Sequence, residues 1–148
     1  MSEENINPVP QSEQNAVLKD LRTWLKSNIS WLSDKKITIS GIDLDVDSLA
    51  IVPTKGVRKR RQYACGGYQV YMPFALWFRT SAEGNSSVEA AFNSLDEIGI
   101  ALDSLDFTNM LSGDRQVDSF YQDTSTILSA RKGSITDFVT TFVLIYSV

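Results

Sequence analysis

Three stretches of this chain carry residue types that do chemistry. In the first, "GIDLDVDS", Asp43, Asp45 and Asp47 place a carboxylate at every second position. That spacing opens a calcium loop, but the loop also needs glycine at its sixth position and glutamate at its twelfth. Ser48 and Thr54 stand there instead. The three aspartates therefore read as the solvent-facing edge of a strand from Ile42 to Asp47. The second stretch is the basic run Arg58, Lys59, Arg60 and Arg61. Such a run is a solvated strand face, a docking patch for an acidic partner or a contact to a nucleic-acid backbone. The third is Cys65, which stands beside Gly66 and Gly67 and is the only cysteine. No evident base is at hand to lower its pKa, so it is not expected to act as a nucleophile.

What is missing narrows the chemistry further. The chain has no histidine. This removes the Ser-His-Asp and Cys-His ways of activating a nucleophile and the commonest zinc ligand. Neither GxxxxGK[ST] nor GxGxxG occurs, so the familiar phosphate cradles are absent too. No catalytic residue, cofactor or metal is expected. Formal net charge is −4, whereas a dedicated nucleic-acid binder is basic across its domain. The balance moves the basic run toward protein–protein assembly.

The elements that would position these residues follow from periodicity. At 148 residues the chain suits one domain. Residues 1–11 carry Pro8 and Pro10 and little to bury, so they read as a mobile arm ahead of a domain spanning 12–148. The arm is acidic and polar, unlike a secretory signal, and no apolar run is long enough to cross a membrane as a helix. From Ser12, a candidate N-cap, Val17, Leu18, Leu21, Trp24, Leu25, Ile29 and Leu32 follow the spacing of a helix face. Residues 67–81 read as one strand. Tyr68, Val70, Met72, Phe74, Leu76 and Phe78 form its core face. Gln69, Tyr71, Pro73, Ala75, Trp77 and Arg79 form the other, which is half apolar. A strand apolar on both faces is covered twice, by helices or by another subunit. Pro73 lacks an N–H and requires an edge, a bulge or a bend.

A second helix follows, with Ser86 and Glu89 spaced as a capping box. Val88, Ala91, Phe92, Leu95, Ile98 and Leu102 are its buried stripe, and Asp96, Glu97 and Asp103 its wet side. Two strand segments, a turn at "RKGS" and a long apolar strand complete the chain. The order helix–strands–helix–strands, without recurring strand–helix–strand units, predicts an α+β fold with a mostly antiparallel sheet and two helices.

The segment "CGGYQVYMPFALWFRTSAEGNSSVEAAFNSLDEIG" resembles the central signature of tail-completion, or tail-terminator, proteins of long-tailed bacteriophages, often labelled minor capsid proteins. The positions that carry the resemblance are Gly66, Gly67, Tyr71, Pro73, Phe74, Arg79, Leu95 and Asp96. Cys65 departs from the pattern, which has an acidic or polar residue there. The resemblance implies a non-catalytic virion protein, assembled in the host cytoplasm and placed at the head–tail junction. It implies a sixfold ring that closes the tail tube, with the tube protein and a head-side connector or stopper as partners. DNA would pass through the ring without specific recognition. Arg58, Lys59, Arg60, Arg61, Tyr71, Trp77 and Arg79 are the expected interface residues. A non-ring capsid accessory, a protein-binding module and a nucleic-acid-contacting protein remain as alternatives.

Overall fold

The computed structural model describes residues 8–39, 45–54 and 57–148. Helix α1 (Gln11–Asn28) buries Val17, Leu18, Leu21, Trp24 and Leu25. A 3-10 turn (Ser30–Leu32) follows and keeps Leu32 in the core. Strands β1 (Ile37–Ile39), β2 (Ser48–Pro53), β3 (Arg58–Gln62) and β4 (Tyr68–Ser81) precede helix α2 (Gly84–Ala101). The chain then forms β5 (Gln116–Lys132) and β6 (Ile135–Ser147). The α+β class and the order of helices and strands are those expected from periodicity.

All six strands join one sheet in the order β1-β2-β4-β6-β5, with β3 also beside β4. Among the described strands, only the β1–β2 pair is parallel. β2 and β3 lie in line along the same edge of β4, opposite its second and first halves respectively. β6 runs down the middle, paired with β4 over thirteen positions from Gln69–Ser147 to Ser81–Ile135. Its apolar sequence fits that central place: Phe142 to Tyr146 are all buried.

Pro73 sits inside this central ladder, opposite Val143. Its carbonyl accepts from the Thr54 N–H at 3.1 Å, on the side of β2 and β3. In an antiparallel strand a residue's N and O point to the same side, so the missing N–H faces the break between β2 and β3. No rung with β6 is lost, and the proline meets a local edge as its chemistry requires.

Both helices pack on one face of the sheet. Val70, Met72, Phe74, Leu76 and Phe78 of β4 are buried there with Leu18, Leu21, Leu95 and Ile98. Aromatic rings fill the middle: Phe74 stacks on Phe142 at 5.6 Å, and Trp24 meets Phe120 edge-on at 5.9 Å.

Several local expectations are corrected. Ser12 lies inside α1, whose N-cap is Pro10 with no side-chain cap bond. α2 starts at Gly84 after Glu83, so Ser86 and Glu89 form no capping box. Gly84 has φ +80°, a conformation that favours glycine, and this moves the helix start upstream. Of the expected strand from Ile42 to Asp47, residues 42–44 lie outside the described residues. Val46 and Asp47 form a turn, Asp47 with φ 62°. Turn chemistry replaces the strand at Val46 and Asp47, where aspartate tolerates the left-handed region. Of the expected arm, residues 1–7 lie outside the described residues. Val9 is 5% exposed and packs in the core.

Candidate assembly interface

The second face of β4 stacks into rows across the sheet. Arg58, Tyr71, Ile145 and Ser119 form one row, and Pro73, Val143 and Tyr121 the next. Further along, Val52, Ala75 and Thr141 align, then Ala50, Trp77, Val139 and Ile127. The face is apolar because β-branched and aromatic residues occupy alternate positions of four neighbouring strands. Neither helix touches it. Ala50, Ala75, Val143 and Ile145 are nevertheless 1–6% exposed. Tyr71, Pro73, Trp77 and Val139 remain half-buried, and Tyr121 and Ile127 are exposed. No described element covers this surface.

Charge lies at its two ends. The Arg58 guanidinium stands 5.3 Å from the centre of the Tyr71 ring. Lys59 points to the opposite face, its Nζ 4.2 Å from the Tyr68 ring centre. Each contact contributes about 0.5–1 kcal/mol at an exposed site. A register shift between Lys59 and Arg61 takes Arg60 out of the ladder. The basic run therefore splits: Arg58 and Arg61 lie with Tyr71 and Gln69 on the apolar face, and Lys59 does not. The structure brings Arg58, Arg61, Tyr71, Trp77 and Arg79 onto one face of the sheet.

Arg79 closes the far end. Its Nε and a second guanidinium nitrogen donate to the two oxygens of Asp137, opposite on β6, at 2.7 and 2.9 Å. These bonds hold the guanidinium above its ordinary pKa. Arg79 thus has an ion-pair partner within its own sheet. Alternation in "ITDFV" puts Asp137 in the opposite phase to the core residue Phe138, which gives its face but not the strand beside it.

Two polar clusters were not anticipated. Asp96, expected on the wet side of α2, accepts from Gln122 Nε2 at 3.1 Å and from the Thr126 hydroxyl at 2.7 Å. Gln122 Nε2 also donates to Thr140 Oγ1 at 2.8 Å. The Leu-Asp pair therefore has two structural tasks: Leu95 is fully buried, and Asp96 ties α2 to β5. Glu13, in the first turn of α1, accepts from the Tyr146 hydroxyl at 2.8 Å and from the Tyr68 hydroxyl. Burial, and next to it the Glu13 carboxylate, pushes Tyr68 up to about 12 and raises Tyr146 further. These pairings join residues far apart in sequence, and no local spacing announces them.

The carboxylates of an acidic depression, Asp20 and Asp106, each have a partner of their own among the described residues. Asp20 and Asp106 line one open depression of about 560 Å³. Asp20 accepts from the Ser112 backbone and hydroxyl at 2.9 and 2.7 Å, and Asp106 from the Thr108 N–H at 3.0 Å. Each carboxylate is occupied locally. Cys65 is exposed. Among the described residues no three of Cys, Asp and Glu gather as metal ligands, and no helix is long and apolar enough to cross a membrane.

No protein-family model and no curated protein matches the chain. Among solved structures, the fold is similar to a chain from the virion of a native gene transfer agent particle. The TM-score is 0.55 at 13% identity, covering 91% of this chain and 94% of that one.

Proposed function

We propose that this chain is a structural virion protein of a phage-like particle. In this reading it forms a sixfold ring that closes the tail tube and joins it to a head-side connector or stopper. The observation that carries the reading is the apolar sheet face of Tyr71, Pro73, Trp77 and Val139, which no described element covers. An apolar sheet face with charged ends suits an interface between proteins. The likeness in fold to a chain of a virion particle supports the same direction, as does the signature around Gly67, Pro73 and Asp96. Tyr71 and Trp77 supply the buried aromatic anchors of the contact, and Arg58 and Arg61 its rim. The partners are copies of the same chain, the tube protein and the connector. DNA crosses the ring without sequence-specific contacts, which suits a chain of net charge −4.

The test is the mass of the purified protein by light scattering, followed by negative-stain imaging. A six-subunit mass and annular particles are expected, alone or with tube protein added. A monomer under every condition, tube protein included, overturns the ring.

A further inference from the structure

We infer that copies of this chain join side by side, with the α2–β5 side of one copy seated on the α1–β1 side of the next. The inference rests on the ring reading and specifies its joint.

β1 and β5 are the two end columns of the sheet. Both helices lie on the same face, α1 against β1 and α2 against β5 and β6. The molecule therefore has two unlike sides, each made of one helix and one end strand.

The α1–β1 side is basic. Lys19, Arg22 and Lys26 follow three- and four-residue steps, so they form one line along α1. Two adjoining depressions of about 610 and 510 Å³ lie between this line and β1. Arg22, Lys36 and Ile37 line both, and no carboxylate lines either. The Arg22 guanidinium donates to the Ile37 carbonyl at 3.5 Å, which turns the line toward β1. Lys36 pairs with Asp45 at 3.2 Å, whereas Lys19, Arg22 and Lys26 have no carboxylate partner among the described residues.

The α2–β5 side is acidic. Glu89, Asp96 and Asp103 recur every seven residues, close to two full helical turns, and so share one line. Asp96 accepts from Thr126 of β5, which fixes that line on the β5 side. Glu89 and Asp103 are exposed, as is Asp123 of β5. From residue 84 to residue 130 Arg115 is the only Lys or Arg. Ile100 and Leu128 are 71% and 40% exposed.

The two lines lie at the same height along the strands. Ile37 shares a row with Leu128, and Thr38 shares one with Ile127. Lys19 and Arg22 meet β1 from Ile37 to Ile39, and Asp96 meets β5 at Thr126, next to Ile127. A neighbour set beside the sheet without stagger therefore brings its acidic line opposite the basic one, with no described strand between them. Like sides repel and unlike sides attract. The contact is heterologous and repeats from copy to copy until a ring closes. Ile100 and Leu128 then pack on the aliphatic stems of the cations. β3 and the apolar sheet face stay open to the tube protein and the connector.

Charge reversal tests this joint. One variant carries Lys19→Glu with Lys26→Glu, a second Glu89→Lys with Asp103→Lys. Circular dichroism and thermal melting establish that each is folded. Each alone should need a roughly tenfold or higher concentration to form rings, because like charges now face each other. An equimolar mixture should recover assembly, since alternating copies meet with opposite charges at every joint of an even ring. Where a reversal does not fold, the neutral pair Lys19→Gln with Lys26→Gln, or Glu89→Gln with Asp103→Asn, replaces it, and weaker assembly is the expected result. If the wild type forms rings and the folded variants form them equally well, or if the mixture of reversals recovers nothing, this joint is wrong and the ring stands. The joint is equally wrong if the first variant assembles normally and instead loses affinity for duplex DNA, which makes the basic line a phosphate contact. If the wild type never assembles, with or without tube protein, the ring reading falls and the joint with it.

Discussion

The Asp96 carboxylate on α2 accepts the Thr126 hydroxyl of β5 at 2.7 Å, and the same oxygen accepts from Gln122. β5 is an edge strand whose ladder runs to β6, and this carboxylate is a polar tie to the helical layer beside the Trp24–Phe120 ring contact. Asp96→Ala should lower stability by about 1–3 kcal/mol, because the Thr126 hydroxyl is left in a buried site without an acceptor. Asp96→Asn should cost less, since its amide oxygen still accepts. Urea unfolding of the three proteins checks the order. Equal stability of wild type and Asp96→Ala would show that the tie holds nothing.

Tyr68 and Tyr146 share the Glu13 carboxylate, and both have pKa values raised above the ordinary 10.0, Tyr68 to about 12. The folded state therefore keeps protons that the unfolded chain loses above pH 10. The stabilisation is fully present below pH 10 and is lost as pH rises through about 12 for Tyr68, and beyond that for Tyr146. Unfolding free energy should fall from about pH 10 to about pH 12. The fall should be shallower in the Tyr68→Phe, Tyr146→Phe double variant. An identical slope in both proteins would sink this account.

The two faces of β4 should respond differently to truncation. Phe74 is 1% exposed and stacks on Phe142, so Phe74→Ala should cost about 3–5 kcal/mol in denaturant unfolding. Trp77, on the uncovered face, is only half-buried. Trp77→Ala should cost clearly less stability while reducing assembly measured by light scattering. A large stability loss with assembly intact at Trp77 would assign that face to the fold alone.

Gly67 lies against the last residue of the chain. A Cβ there would run into the Val148 carbonyl oxygen, and the Val148 N–H donates to the Tyr68 carbonyl at 2.9 Å. The Val148 N–H bond to Tyr68 holds that residue in place. Gly67→Ala should cost about 1–3 kcal/mol by overpacking and should speed amide exchange at Val148. Unchanged exchange would show that the end of the chain tolerates the methyl group.

How much of this was legible beforehand depended on the range of the interaction. Alternation in residues 68–78 announced the buried face of β4, and the helix spacing of Leu18, Leu21 and Leu25 announced that of α1. Both are local patterns enforced by burial. The helix starts misled, because Ser12 and Ser86 match a capping pattern that Pro10 and Gly84 pre-empt by backbone geometry. The aspartates at 45 and 47 looked like a strand because turn residues can alternate with apolar ones by accident. Most of the expected interface residues do fall on one face, since strand phase alone decides that. The partner of Arg79 and the role of Asp96 were hidden, because each depends on which strand lies next door.

The thirteen-position pairing of β4 with β6 also has a mechanical side. Its hydrogen bonds stand across the strand direction. A pull along the strands loads all of these bonds together in shear, and many must yield in the same event. A pull across the sheet at β5 opens bonds one at a time, from an edge already interrupted by four register shifts. The fold is therefore stiff along one axis and peelable along another. A load carried lengthwise through β4 and β6 meets its strongest direction.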